Sequence, residues 1–310
     1  MNNKLKLHRK RNSLRALKQL RSRRFVGHPD RAKELDRLFK LSVDELVMKC
    51  RGHLVVKESL SKLYDYLAEE MVAEFKKAMH KKGPTAFIMP VGPTQPYKLM
   101  AEKINQRRIN LKNCHFFFMD EYCDDNDKLI PSTHPLSFRG QVGGLFFNLV
   151  DRKLLMPESQ RVFPTPNILG RLPGMIEKVG GIEVCYGGIG IHGHLAFNEP
   201  EPGVRDSGPR ILTINEFTRT VDSTRHGLGG NLVKFPRRAI TLGMRQCLGA
   251  RRVLVMTRNE HEGMDWANTV LRISALGAPG DDYPVTYLRE HPNYIVATDR
   301  ATATAPKVII

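Results

Sequence analysis

Within Gly187-Gly-Ile-Gly-Ile-His-Gly-His-Leu-Ala-Phe-Asn-Glu-Pro200, two histidines and a glutamate stand a few residues apart. Glu199 is near enough to His194 in sequence to orient the imidazole and raise its basicity, the base-plus-orienter arrangement of general acid–base catalysis. His192 and His194 also have the His-x-His spacing of a metal site, but no third ligand stands in view. Histidines that merely serve a polar turn are the plainer alternative. The stretch follows the apolar run Ile182, Val184, Tyr186, which reads as a buried strand, and its glycines allow positive φ and close approach to a ligand.

Two further turns invite chemistry. Asp120-Glu121 closes the apolar run Cys114–Met119, and adjacent carboxylates there are costly unless solvated, paired or functional. Asp120 is a candidate base, whereas Glu121 points the other way along a strand and suits a structural salt bridge; a cap or turn is equally compatible with the spacing. Val91-Gly-Pro-Thr94 follows the run Thr85–Met89 and leads into a helix that Thr94 could cap, where free N–H groups favour phosphate. An ordinary capped helix start explains that turn as well.

Positioning these turns requires strands that end together. An amphipathic helix is expected from Ser59 to about Lys81, with Leu60, Leu63, Leu67, Met71, Phe75 and Met79 on one face. Strands are expected at Thr85–Met89, Cys114–Met119, Ile182–Tyr186, Ala239–Leu242, Arg252–Met256 and Tyr294–Ala297, with a helix through Met100 and Ile104 and another carrying Met264, Ala267, Val270 and Leu271 inward. Strands apolar nearly throughout and alternating with helices indicate a doubly wound, mostly parallel α/β sheet covered on both faces. Residues 1–52 read as a basic N-terminal extension, helical over Ala32 to Phe39, and 53–310 as one α/β domain.

The 310 residues suffice for a sizeable core, and composition is that of a globular protein, with no apolar run long enough to span a membrane. Met1–Arg24 lacks the apolar centre of a secretory signal. Five scattered cysteines without a C-x-x-C pair suit a reducing cytoplasm. The net charge is +17, and residues 1–24 hold ten Lys or Arg and no acid. No aromatic sits among those charges, so a solvated basic arm, packing on an oligomer neighbour, is preferred to a nucleic-acid arm. The remaining positive charge suits an anionic small-molecule substrate.

Taken together, Val91-Gly-Pro-Thr-Gln95, Phe118-Met-Asp-Glu-Tyr122 and Gly188–Pro200 resemble the hallmark strings of glucosamine-6-phosphate deaminases, within the wider group that includes 6-phosphogluconolactonases. Weaker echoes run through Ser132-Thr-His-Pro135, Asp222-Ser-Thr-Arg225, Ala239-Ile-Thr-Leu-Gly243 and Leu288-Arg-Glu-His-Pro292, in order from about residue 54 to 300. Asp-Glu-Tyr and Phe-Asn-Glu-Pro favour the deaminase branch. The resemblance implies a Rossmann-like fold, a phosphorylated amino sugar or related sugar as substrate, no metal or organic cofactor, and a homo-oligomer. It also implies that Asp120 moves a proton between C2 and C1 of the opened sugar, that His194 opens the ring with Glu199 tuning it, and that Gly92, Pro93, Thr94, Gly193 and Arg225 hold sugar or phosphate.

The pattern breaks inside the site. His192 stands where the family has an aspartate assisting ring opening, and a cationic histidine there would depress the basicity of His194. Pro93 replaces a glycine and removes an N–H donor. His261 stands where the family has a phosphate lysine, with Arg258 as a substitute cation, and the activator-binding segment falls at the dissimilar Gly208-Pro-Arg-Ile-Leu-Thr213. Three readings follow: a sugar-phosphate isomerase or deaminase, a catalytically weak sugar-phosphate-binding protein, and a sugar-phosphate lactonase.

Overall fold

The computed structural model describes residues 30–229, 231–260 and 263–307. In chain order its elements begin with helices α1 (Arg31–Leu38) and α2 (Val43–Lys49), strand β1 (Leu54–Lys57) and helix α3 (Leu60–His80). Strand β2 (Thr85–Met89), helix α4 (Gln95–Arg107), strands β3 (Cys114–Phe118) and β4 (Asp120–Cys123) and helix α5 (Phe138–Val142) follow. Next come β5 (Arg161–Val162), α6 (Leu172–Lys178), β6 (Ile182–Gly188), β7 (Arg210–Thr213) and α7 (Glu216–Arg225). The chain then runs through β8 (Arg238–Thr241), α8 (Met244–Leu248), β9 (Arg252–Met256), α9 (Trp266–Leu276), β10 (Tyr294–Asp299) and α10 (Arg300–Ala303).

Seven strands form a wholly parallel sheet in the order β1-β10-β9-β6-β2-β3-β5. Because side chains alternate along a strand, each strand feeds two cores. Phe87, Met89, Phe116, Phe118, Val184, Tyr186, Leu254 and Met256 pack with α3 and α4 on one face. Ala86, Ile88, Phe117, Cys185, Val253, Val255 and Val296 pack on the other with α6, α9 and the two N-terminal helices. Both faces being covered explains why these strands lack a polar side. Helix α3 begins where expected, with the Ser59 hydroxyl accepting from the Lys62 N–H at 3.3 Å, and it buries Leu63, Leu67, Met71 and Phe75.

Two expectations are corrected. Ala239–Leu242 does not join the parallel sheet: β8 pairs antiparallel with β4 and β7 in a separate three-stranded sheet. It is apolar because Ala239 is sealed by its own cluster with Tyr122, Phe197 and Phe235. Nor are all of residues 1–52 peripheral. Leu38, Leu41, Leu46 and Cys50 are buried in the main core, and the fully buried Arg272 guanidinium donates to the carbonyl of Leu41 at 2.9 Å. The basic stretch 1–24 lies outside the described residues. All five cysteines are free and buried, and no described helix is long and apolar enough to cross a membrane.

Candidate active site

From β2 the chain moves to β3 on one side, whereas β6 is followed in the sheet by β9 and β10 on the other. The crevice between the carboxyl ends of β2 and β6 is therefore a topological switch point, the place where open α/β sheets bind ligands. A cavity of about 360 Å³ opens there, large enough for a small ligand and lined by the turns after β2, β3, β6 and β9 and by α7. Gly188 lets the β2 and β6 turns approach: a Cβ at that position would lie 2.7 Å from the carbonyl oxygen of Gly92.

Asp120 enters this cavity because the chain changes sheets beside it. Met119 still donates to Met89 in the parallel sheet at 3.0 Å, while its carbonyl accepts from Leu242 at 2.7 Å, and β4 then runs antiparallel to β8. Burial pushes the Asp120 carboxyl well above the usual carboxylate range, with Glu121 and Asp222 adding in the same direction. Glu121, fully buried, points away from the cavity. It accepts from the Phe138 and Arg139 N–H groups and the Ser137 hydroxyl at 2.9–3.0 Å, and lies 3.5 Å from the Arg139 guanidinium. Glu121 thus holds the start of α5, and strand alternation separates the two neighbouring carboxylates.

His194 faces the same cavity, seated on a residue without a side chain: a Cβ on Gly190 would lie 1.9 Å from its Nε2. Burial, with His192 and Arg225 contributing, lowers its pKa to about 3, so the ring is neutral above that pH. Its Nδ1 is buried without a hydrogen-bond partner, and so is Glu199 Oε1. The pairing of Glu199 with His194 suggested by their spacing is not formed. The Leu195–Asn198 bridge turns the chain back, and Glu199 Oε2 accepts instead from the Asn215 N–H at 2.7 Å. Burial raises the Glu199 carboxyl. His192 and Gly193 do not line the cavity. The His192 ring meets Phe217 edge to face at 5.2 Å, and burial lowers its pKa; Gly193, at φ +62°, accepts from Val285 at 2.7 Å.

At the other end, Gly92, Pro93 and Thr94 line the cavity at the start of α4. Thr94 occupies the N-cap position, but its side chain makes no capping bond. The turn is poor in donors, since Pro93 and Pro96 have no N–H and that of Tyr97 bonds back to Thr94. Arg225 and Arg258 also line it. Arg225 Nε lies 2.8 Å from Glu260 and its Nη1 3.2 Å from Asp222, with the guanidinium 5.3 Å from the Trp266 ring centre. Arg258 donates to the Tyr64 hydroxyl at 2.8 Å and Gln95 at 3.2 Å, and also pairs with Glu260. Burial brings its pKa down to about 10. His261 lies outside the described residues. Sequence reasoning missed Asp222 and Glu260 as site groups. Asp222 sits beside Arg225 on α7, is deeply buried with its carboxyl raised by that burial, and accepts from the Tyr122 hydroxyl at 3.0 Å. Its place in the string Asp222-Ser-Thr-Arg225, one helical turn from Arg225, was the available signal.

The site can therefore offer a buried carboxyl, a neutral imidazole and a cationic end in one crevice. No cluster of three His, Cys, Asp or Glu among the described residues is arranged to hold a metal ion. No protein-family model matches the chain. A glucosamine-6-phosphate deaminase of Parabacteroides distasonis is 28% identical over 267 residues, covering 82% of this chain and 92% of that protein. One of Caenorhabditis elegans is 28% identical over 218 residues, covering 68% and 78%. The chain is similar to these deaminases and diverges from them at most positions. Among solved structures, a monomeric glucosamine-6-phosphate deaminase of the NagB superfamily superposes with a TM-score of 0.68 at 21% identity, covering 81% of this chain and 98% of that one. A 6-phosphogluconolactonase from Thermotoga maritima gives a TM-score of 0.58 at 15% identity, covering 80% and all of that chain. These two likenesses establish the shared α/β fold, and the curated relatives bear out the family resemblance carried by the three turn strings.

Proposed function

We propose that this relative of the deaminases acts on a phosphorylated amino sugar or a close analogue, shifting a proton between C2 and C1 after ring opening. The observation that carries the proposal is the shared cavity: a buried Asp120 and a neutral His194 face the space that ends at Thr94, Arg225 and Arg258. An aldose–ketose shift needs one base for the carbon-bound proton and a second group for the ring oxygen. Asp120, once ionised, is a stronger base than an exposed carboxylate because burial disfavours its charged form. His194, neutral, can accept the proton of the C1 hydroxyl and deliver it to the ring oxygen as the C1–O5 bond breaks. Release of ammonia and ketose from glucosamine 6-phosphate, followed for wild type and Asp120→Asn, tests the assignment. Turnover should fall about 10²–10⁴-fold in the variant, the usual contribution of a general base. Turnover by folded Asp120→Asn within tenfold of wild type would refute Asp120 as the base.

A second reading has its own observation. With His194 Nδ1 and Glu199 Oε1 both unpartnered and His192 lowering the imidazole's basicity, the ring-opening machinery is incompletely assembled. That favours a slow enzyme, or a sugar-phosphate-binding protein that turns over nothing. Ligand binding without product in the same assay would select the binding protein.

A further inference from the structure

The two arginines lining the cavity are already bridged by one carboxylate. Glu260 follows β9 and pairs with Arg225 through Oε2 at 2.8 Å and with Arg258 through Oε1. Arg258 is fixed from its other side by Tyr64 and Gln95, and Arg225 by Asp222 and the face of Trp266. Planar guanidinium forks held this way recognise the oxygens of one anion. Glu260 is the anion in place, and its side chain is 18% exposed, between Arg258 at 9% and Arg225 at 26%. Each arginine keeps its other partners if Glu260 swings out, so the arginines are the fixed parts and the carboxylate is the member that can leave.

We infer that Glu260 is a tethered occupant of the anion site, which a substrate's phosphate must displace in order to bind. The inference deepens the function proposed above and rests on its reading of Arg225 and Arg258 as the anion end. A tethered group competes at a high effective concentration, so it lowers the apparent affinity of every anion. A phosphate dianion, with more charge and three oxygens, can replace it on both guanidinium groups; a monoanion such as a sugar carboxylate gains little by the exchange. Glu260 in this way sets the threshold an anion must exceed: a tightly held phosphate still binds, whereas a weakly held carboxylate is kept out at the same concentration.

Inorganic phosphate and acetate are suitable probes, measured by calorimetry on the full chain, because neither requires turnover. Trp266, the chain's single tryptophan, lies against Arg225 and reports the exchange by fluorescence. Glu260→Gln should bind phosphate at least tenfold more tightly than wild type and gain at least as much for phosphate as for acetate, since removing a negative charge favours the dianion. Phosphate should change Trp266 emission in wild type, and Arg225→Met should abolish that change. Melting temperature checks that each variant is folded, and Glu260→Asp, too short to span both arginines, should fall between wild type and Glu260→Gln. Unchanged or weaker phosphate binding by folded Glu260→Gln, or no binding in either protein, overturns the inference. Tighter binding without turnover of any amino-sugar phosphate would uphold it while removing only the catalytic reading.

Discussion

Asp120 and His194 sit at strand tips where burial opposes their charged forms, while in the same cavity Arg225 and Arg258 are each met by a carboxylate. At the proton-transfer end the withdrawal of water opposes charge; at the anion end charge is kept by supplying counter-charge. The difference follows from chemistry. A carboxyl or imidazole can shed its charge when desolvated, whereas a guanidinium holds its proton to high pH and has to be paired. A single crevice can thus hold a reactive carboxyl and a cationic clamp a short distance apart without one neutralising the other.

The sharpest way to break this comparison is Gly190→Ala. The added methyl would occupy the place of the His194 ring and push the imidazole out of the cavity, since the three atoms nearest to it all belong to that ring. Displacement of a catalytic group by an ångström or so costs roughly 10²-fold, so kcat on glucosamine 6-phosphate should fall by about that factor while phosphate affinity stays at the wild-type value. Parallel loss of phosphate affinity, measured by calorimetry, would mean that the two ends are mechanically coupled.

How far the residues reveal this site depends on whether a role is set by place in a strand or by reach across the fold. The parallel strands were legible because burial on both faces leaves them no polar side. Ala239–Thr241 misled for the same reason: apolarity reports burial, not which sheet a strand joins. Asp120 and His194 were legible as ionisable groups at strand tips beside glycines. Glu199 misled because the intervening bridge turns its carboxylate toward Asn215. Glu260 gave no sign, since its importance lies in reaching an arginine on another element.

The pH dependence sharpens the proton-transfer end. If ionised Asp120 is the base, activity is lost as pH falls through its pKa, so the acidic limb of kcat/KM lies above the ordinary aspartate value of about 3.9. His194, titrating at about 3, contributes nothing near neutrality. Asp222→Asn removes a negative neighbour that raises the Asp120 pKa, so a pH–rate profile of this variant should show the limb moved to lower pH. An unmoved limb would assign it to another group. A smaller effect is expected from His192→Asp. It replaces a neighbour that depresses the His194 imidazole with one that supports its protonated form, so kcat should rise a few-fold in a ring-opening-limited reaction. A fall in kcat would show that His192 works in its own right.

The smallest effect is on stability, and its sign separates the two ends most cleanly. A carboxyl whose folded pKa is raised is penalised when ionised, so Asp120 costs stability at pH values above its unfolded pKa of about 3.9. Asp120→Asn removes that cost and should raise the melting temperature at pH 7 by a few degrees, while turnover falls as predicted above. Below pH 3 both folded and unfolded wild type carry the proton, and the advantage of the variant should vanish. The anion end predicts the reverse: at pH 7 Arg258→Met leaves Glu260 with one arginine and Tyr64 and Gln95 without their donor, and should lower the melting temperature. Calorimetric melting of the two variants across pH 3–8 decides the point. A stabilised Arg258→Met or a destabilised Asp120→Asn would mean that burial and pairing are not divided between the ends as described.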